Sequence, residues 1–202
     1  MRAFKTLFLS AFFVLSASAQ DWQVLFDGKS LDGWKAAENP DSIRLEDGAV
    51  VLSGKRAHLF WMGKDGKASF GNFEAEIVFQ TAKGSNAGLF FHTAWQDKGW
   101  PVQGLECQIN ATHTDWRKTA SVYSFQDVKE PGHNDDEWVT MKLRVEGLNV
   151  KVWVNDKLVN DWTQPANHPE KTKRLGTGTF ALQAHDPGSV VKVKGLRVKA
   201  LP

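Results

Sequence analysis

The chain has 202 residues, 25 Lys/Arg against 23 Asp/Glu, and a formal charge of +2. Setting aside Arg2 and Lys5 of the leading segment leaves 23 basic against 23 acidic residues, hence no net charge. That balance, with no Lys/Arg cluster, excludes the electropositive face that a nucleic-acid partner requires. The one cysteine, Cys107, excludes an internal disulfide framework.

Residues 1–19 read as a secretory signal peptide. Arg2 and Lys5 form the positive start, an apolar run over 7–15 is broken only by Ser10, and Ala17-Ser18-Ala19 supplies the small-x-small cleavage site. The run is too short to span a bilayer, and no cysteine follows the cleavage site to carry a lipid. An N-terminal core helix is the alternative reading. The expectation is a periplasmic or secreted protein whose residues 20–202 form one domain with room for a sizeable core. No later apolar stretch is long enough for a membrane span.

Downstream, period-two alternation between Gly, Asn, Asp and Pro punctuation predicts strands at 23–26, 49–52, 73–81, 88–93, 105–110, 120–124, 138–146, 149–155, 157–161, 178–185 and 190–199. Phe73, Ala75, Ile77 and Phe79 alternate with Glu74, Glu76 and Gln80; Val139, Met141, Leu143 and Val145 behave alike. Gly147 and the pair Asn155-Asp156 supply the turns of a three-strand meander. No segment keeps a helical apolar period. About eleven strands predict an all-β fold, a two-sheet antiparallel β-sandwich or jelly roll.

Two strands carry unusual polar faces. In segment 104–110, Leu105, Cys107 and Ile109 face one way and Glu106, Gln108 and Asn110 the other. In segment 179–185, Phe180, Leu182 and Ala184 oppose Ala181, Gln183 and His185. Such faces suit a polar-substrate site, or are simply the solvent-facing side of antiparallel strands. Among nine tryptophans, Trp138 and Trp153 sit in core-like surroundings, whereas Trp95, Trp100 and Trp116 fall in polar stretches where an exposed indole stacks on a sugar ring or caps the core.

The run Leu25-Phe26-Asp27-Gly28-Lys29-Ser30-Leu31-Asp32-Gly33-Trp34 comes first in an ordered set of motifs. Asn72-Phe73-Glu74, Gly84-Ser85-Asn86-Ala87-Gly88-Leu89-Phe90-Phe91, Glu106-Cys107-Gln108-Ile109-Asn110, Asp136-Glu137-Trp138 and Leu182-Gln183-Ala184-His185 follow. From Leu25 to Pro202 the chain resembles the 3-keto-disaccharide hydrolase family of exported bacterial domains. The resemblance implies a sandwich of the concanavalin A-like lectin/glucanase type and action on an oligosaccharide or glycoside. The chain departs from the family pattern at His92 for Arg, Asn110 for Asp, Thr140 near an Asn, Asp186 for Gly, and Lys194-Gly195 for Arg-Asn. Several of these lie near the presumed site, so the substrate is expected to differ from the family's best-known one.

Ordinary glycosidic hydrolysis needs two carboxylates. The strand that would carry them follows Glu106 with two amides, so a conventional retaining glycosidase is not expected. The resemblance suggests another route. A ketone at C3 acidifies the C2 hydrogen, so its removal, elimination of the C1 substituent and addition of water cleave the bond. This needs one base, one group to stabilise the enolate oxygen and one proton donor. On that reading Glu106 and His185 are the acid/base pair, in an order left open, while Gln108, Asn110, Gln183, His92, Tyr123 and Asn86 contact the substrate. His113 and Asp115, with Glu106, are candidate ligands for a divalent metal ion, although a loop histidine beside a surface aspartate is the simpler explanation of the pair. A partner oxidoreductase would supply the 3-keto sugar. A non-catalytic carbohydrate-binding module of the same fold is the alternative.

Overall fold

The computed structural model describes residues 21–202; the segment read as a signal peptide lies outside the described residues. Apart from one 3-10 turn at Pro40–Ser42, the described chain consists of strands and loops. Among the described residues no helix is long and apolar enough to cross a membrane.

Two antiparallel sheets face each other. The larger is built on β13 (Val190–Ala200), which pairs along one edge with β6 (Phe73–Thr81). Its other edge serves two short strands, β4 (Ala49–Ser53) beside its first half and β1 (Gln23–Phe26) beside its second. Beyond β6 run β9 (Val139–Glu146), β10 (Asn149–Val154) and β11 (Lys157–Thr163), and β3 (Ile43–Glu46) borders β4. The β9–β11 meander is as expected. Asn155 and Asp156 turn the last hairpin with φ of 46° and 64°, the left-handed pair whose twist suits a two-residue loop. The smaller sheet runs β2 (Trp34–Ala37), β5 (Ala57–Trp61), β12 (Thr179–Ala184), β7 (Ala87–Thr93), β8 (Leu105–Ile109). Phe73, Ile77, Phe79 and Met141 of one sheet meet Leu89, Phe91, Leu105, Ile109 and Phe180 of the other in the shared core.

The outer faces differ. That of the larger sheet is wet and laced by cross-strand ion pairs such as Arg144–Glu74 (3.0 Å), Lys199–Glu74 (2.9 Å) and Arg197–Glu76 (2.8 Å). Trp138 and Trp153 lie here, beneath Lys194 (4.3 Å) and Lys142 (4.6 Å), and not in the core where their neighbours suggested. On the smaller sheet β7 and β12 are buried along their whole length. Phe60, Phe90, Ala37 and Ala181 form a second apolar cluster on that outer face, packed by Met62 and Trp95. A face expected to be wet is instead roofed by the connections after β7, β8 and β11.

Three strands escaped the alternation rule. In β5, Ala57-His58-Leu59-Phe60-Trp61 is buried on both faces and shows no period, while β2 and β3 are four residues each. The segment 120–124 is not a strand. It runs beside β8, with the Tyr123 amide donating to the Glu106 carbonyl (3.0 Å), but Ala120 and Ser124 adopt φ of 74° and 66° and break the extended repeat.

Candidate active site

Register across the smaller sheet assembles the polar groups. Glu106 lies opposite Phe90 and Gln108 opposite Gly88, while on the far side of β7 Gln183 pairs with His58 of β5. Gly88 has no side chain, and the Glu106 side chain crosses that gap. A Cβ at Gly88 would lie 2.8 Å from Glu106 Cγ and Cδ, and closer still to Oε1. Across the gap Gln183 Nε2 donates to Glu106 Oε1 at 3.2 Å. Gln108, with its amide nitrogen turned toward oxygens, donates to the same atom at 3.2 Å and to the Ala87 carbonyl at 2.9 Å. One carboxyl thus ties together β8 and β12 over a bare position of β7.

Burial pushes the Glu106 carboxyl up to about 8; the charge of Lys173 and the hydrogen bond from Gln183 oppose the rise, and Asp115 adds to it. At neutral pH Glu106 is therefore mainly a carboxylic acid and can donate a proton.

His185 follows β12 directly. Its Nδ1 is 2.7 Å from Asp186 Oδ2. Asp186 Oδ2 also accepts from Ser189 Oγ (2.7 Å), and Oδ1 from the Gly188 amide (2.8 Å). Burial works against the Asp186 charge, but the bonds from Ser189, His185 and Gly188 outweigh it and hold the carboxyl below its usual range. An ionised Asp186 accepts a hydrogen bond from the Nδ1–H of His185, which fixes the tautomer whose lone pair lies on Nε2. That is the arrangement of an oriented general base.

Glu106 and His185 line one hollow of about 350 Å³, within the range of small-molecule sites, about 300–1,000 Å³. Gln108, Gln183, Tyr123 and Asn86 line it too, as do Phe90, Trp100, Glu170 and Lys173. Gln183 Oε1 is buried without a partner, an acceptor free for a ligand hydroxyl. Trp100 is 45% exposed, with the Arg56 guanidinium 4.9 Å behind its ring and the next-door Gly99 amide bonded to Glu38 at 3.0 Å. The indole is held ready at the rim. Tyr123 is anchored through its hydroxyl, which donates to Asp115 Oδ2 at 3.1 Å, and lies under Arg117 at 4.6 Å.

Two expected substrate contacts fall elsewhere. Asn110 is fully buried, and its side chain is spent on its own loop: Nδ2 donates to the Asp115 and Arg117 carbonyls (2.9 and 2.8 Å), while Oδ1 accepts the His113 amide (2.9 Å). No capacity is left for a sugar. His92 uses both ring nitrogens on backbone, Nε2 with the Gly71 carbonyl (2.8 Å) and Nδ1 accepting the Gly176 amide (3.1 Å), and packs edge-on against Phe73. It ties loops together and does not line the hollow.

The expected metal set does not assemble either. The Asp115 carboxylate is occupied by the Arg117 amide (2.9 Å) and the Tyr123 hydroxyl. Among the described residues, ligand-type atoms of His113, His185 and Asp186 do gather within 4.8 Å of one another. Their hydrogen bonds do not fit a cation. His113 Nδ1 accepts the Asp115 amide (3.0 Å), so its proton sits on Nε2, the atom 3.9 Å from Asp186, whose Oδ2 already serves His185 and Ser189.

Gly88, Lys173 and Glu170 were missed. Gly88 lies inside a recognised motif, but its use depends on a side chain eighteen positions away. Lys173 and Glu170 sit in an aperiodic loop with no local signal. Asp186 stood out only as a departure from the family pattern.

A family profile described as "3-keto-alpha-glucoside-1,2-lyase-like domain" matches residues 21–199. A 3-keto-disaccharide hydrolase of Bacteroides thetaiotaomicron is 30% identical over 84 residues, 38% of this chain and 29% of that protein, so the chain spans less than a third of that relative. A Parabacteroides distasonis protein, solved as a candidate glycosyl hydrolase, superposes with a TM-score of 0.75 at 20% identity, covering 90% of this chain and 94% of that one. The carbohydrate-binding module CBM66 of Bacillus subtilis gives 0.58 at 16% identity over 83% and 96% of the two chains. These two likenesses concern the fold.

Proposed function

Since the chain belongs to the 3-keto-alpha-glucoside-1,2-lyase-like family, we propose that it cleaves the glycosidic bond of 3-keto-glycosides, including 3-keto-disaccharides, in the periplasm or outside the cell. One observation carries the reading: a half-buried carboxyl held largely in its acid form and an Asp-oriented imidazole line the same hollow. The pair meets the needs of elimination, for which a second carboxylate is unnecessary.

His185 Nε2 removes the proton from C2 and becomes an imidazolium that Asp186 stabilises. The electrons move toward the C3 oxygen and then form the C1–C2 double bond as the C1–O bond breaks. Glu106 delivers its proton to the departing oxygen. Water then adds its oxygen at C1 while His185 returns a proton to C2, and Glu106, now ionised, takes the surplus proton from the water. The net result is hydrolysis. Gln183 and Gln108 hold the acid in place, the free Gln183 Oε1 accepts a sugar hydroxyl, and Trp100 offers a flat apolar face to the pyranose. The substrate requires an oxidoreductase that oxidises C3 upstream.

The test is product release from a 3-keto-disaccharide in D2O by the wild type and Glu106→Gln. Deuterium at C2 of the released sugar supports elimination; its complete absence points to direct displacement. The exposed Trp100 favours a second reading, a non-catalytic carbohydrate-binding module. Sugar binding without turnover of any oxidised substrate would support that alternative.

A further inference from the structure

We propose that Lys173 is the electrophile of this site: its ammonium group donates to the C3 carbonyl oxygen of the bound sugar and stabilises the enolate formed when C2 loses its proton. The proposal rests on the elimination reading above and fills the one role left there without a residue.

Lys173 lines the hollow together with Glu106 and His185, and among the described lining residues it is the one lysine or arginine. An ammonium group has three N–H donors. One is given to the Pro101 carbonyl, and among the described residues no other hydrogen-bond acceptor engages the rest. The remaining donors belong to a half-buried charge beside the cavity, where an unsolvated N–H is costly and a ligand oxygen is a strong partner.

The loop holding Lys173 is strapped on both flanks. The Gly104 amide donates to the Thr172 carbonyl (3.0 Å), the Leu175 amide to Gln164 Oε1 (2.8 Å), and the Gly176 amide to His92 Nδ1 (3.1 Å). His92, which does not line this hollow, therefore helps fix the lysine that does. Such preorganisation lets a charge stabilise a transition state without reorganising during the reaction.

The neighbouring charges suit the role. Burial lowers the lysine's affinity for its proton, while Glu170 and, once it ionises, Glu106 raise it. Glu106 is mainly neutral at neutral pH, so it does not quench the cation with a full opposing charge. When the enolate forms, its negative oxygen becomes the counter-ion that the ground state lacks. No covalent bond to nitrogen is made: the lysine donates a hydrogen bond and keeps its proton.

The experiment compares wild type, Lys173→Met and Lys173→Arg on a 3-keto-disaccharide. It reads C2–H exchange in D2O, kcat and KM, with thermal unfolding as the check that the fold is intact. Lys173→Met should lose about 10²–10³-fold in exchange and in kcat, with a much smaller change in KM, because the charge on the C3 oxygen develops only as the enolate forms. Lys173→Arg should recover a large part of the rate because it keeps the cation. Exchange at the wild-type rate in Lys173→Met would overturn the assignment while leaving the elimination reading intact. Borohydride trapping of a secondary amine at Lys173 would overturn it in favour of an imine at C3. A wild type that neither exchanges nor cleaves any 3-keto-glycoside would remove both readings together.

Discussion

Replacing Glu106 by Gln keeps the shape of the side chain and removes the ability to ionise. In the folded protein the carboxyl titrates near 8, against an ordinary value of 4.5. The folded state therefore holds a proton that the unfolded chain releases above 4.5. The associated stability is fully present below pH 4.5, declines as pH rises, and is lost once pH passes about 8. At about 1.4 kcal/mol per pH unit, the interval from 4.5 to 8 sets a ceiling of about 5 kcal/mol. Water reaching the carboxyl through the hollow brings the expected change to about 2–4 kcal/mol. Urea unfolding of wild type and Glu106→Gln at pH 5, 7 and 9 measures it, because every group other than the side chain at 106 is common to both proteins. The variant should gain on the wild type as pH rises. In parallel its product release should fall by about 10²–10⁴-fold, and the wild-type rate should decline on an alkaline limb near 8 as the acid ionises. Parallel stability curves for the two proteins would refute the claim that this carboxyl is neutral in the folded protein.

Gly88→Ala places a methyl group 2.8 Å from Glu106 Cγ and Cδ. The fold should survive, since a side chain is what must move, but turnover should drop by about 10²-fold from a displaced acid, and restored turnover in a structure with Glu106 unmoved would count against the gap's role. Asp186→Asn removes the ionised acceptor at His185 Nδ1; kcat should fall by about 10²-fold or more with KM little changed, and an unaltered pH–rate profile would show that Asp186 does not orient the base. Asn110→Ala strips three hydrogen bonds from a buried loop, with an expected loss of about 2–4 kcal/mol in unfolding free energy, read by urea titration; a loss of sugar affinity without destabilisation would instead return Asn110 to the substrate.

The two-period pattern of 73–81 and 139–161 was enough to place β6 and the β9–β11 meander, because those strands have one wet face and one core face, and alternation records that contrast. The same rule failed for β5, where both faces are buried. It also carried Asn110 into the strand, whereas β8 ends at Ile109 and the Asn110 side chain belongs to the loop that follows. Polarity along a strand tells which way a side chain points; it carries no information about what arrives from elsewhere in the chain to meet it. Glu106 and His185 were readable as polar groups facing away from the core, and both line one hollow. Their chemical assignment was not readable. It depends on the bare position at Gly88, on the roof that half-buries Glu106, and on Asp186 accepting a hydrogen bond from His185 Nδ1. Local composition thus determined the sheets and the reactive residue types, whereas protonation state, tautomer and the company of Lys173 were decided by contacts between distant segments, because solvent exclusion and hydrogen-bond partners exist only once the loops have closed over the sheet.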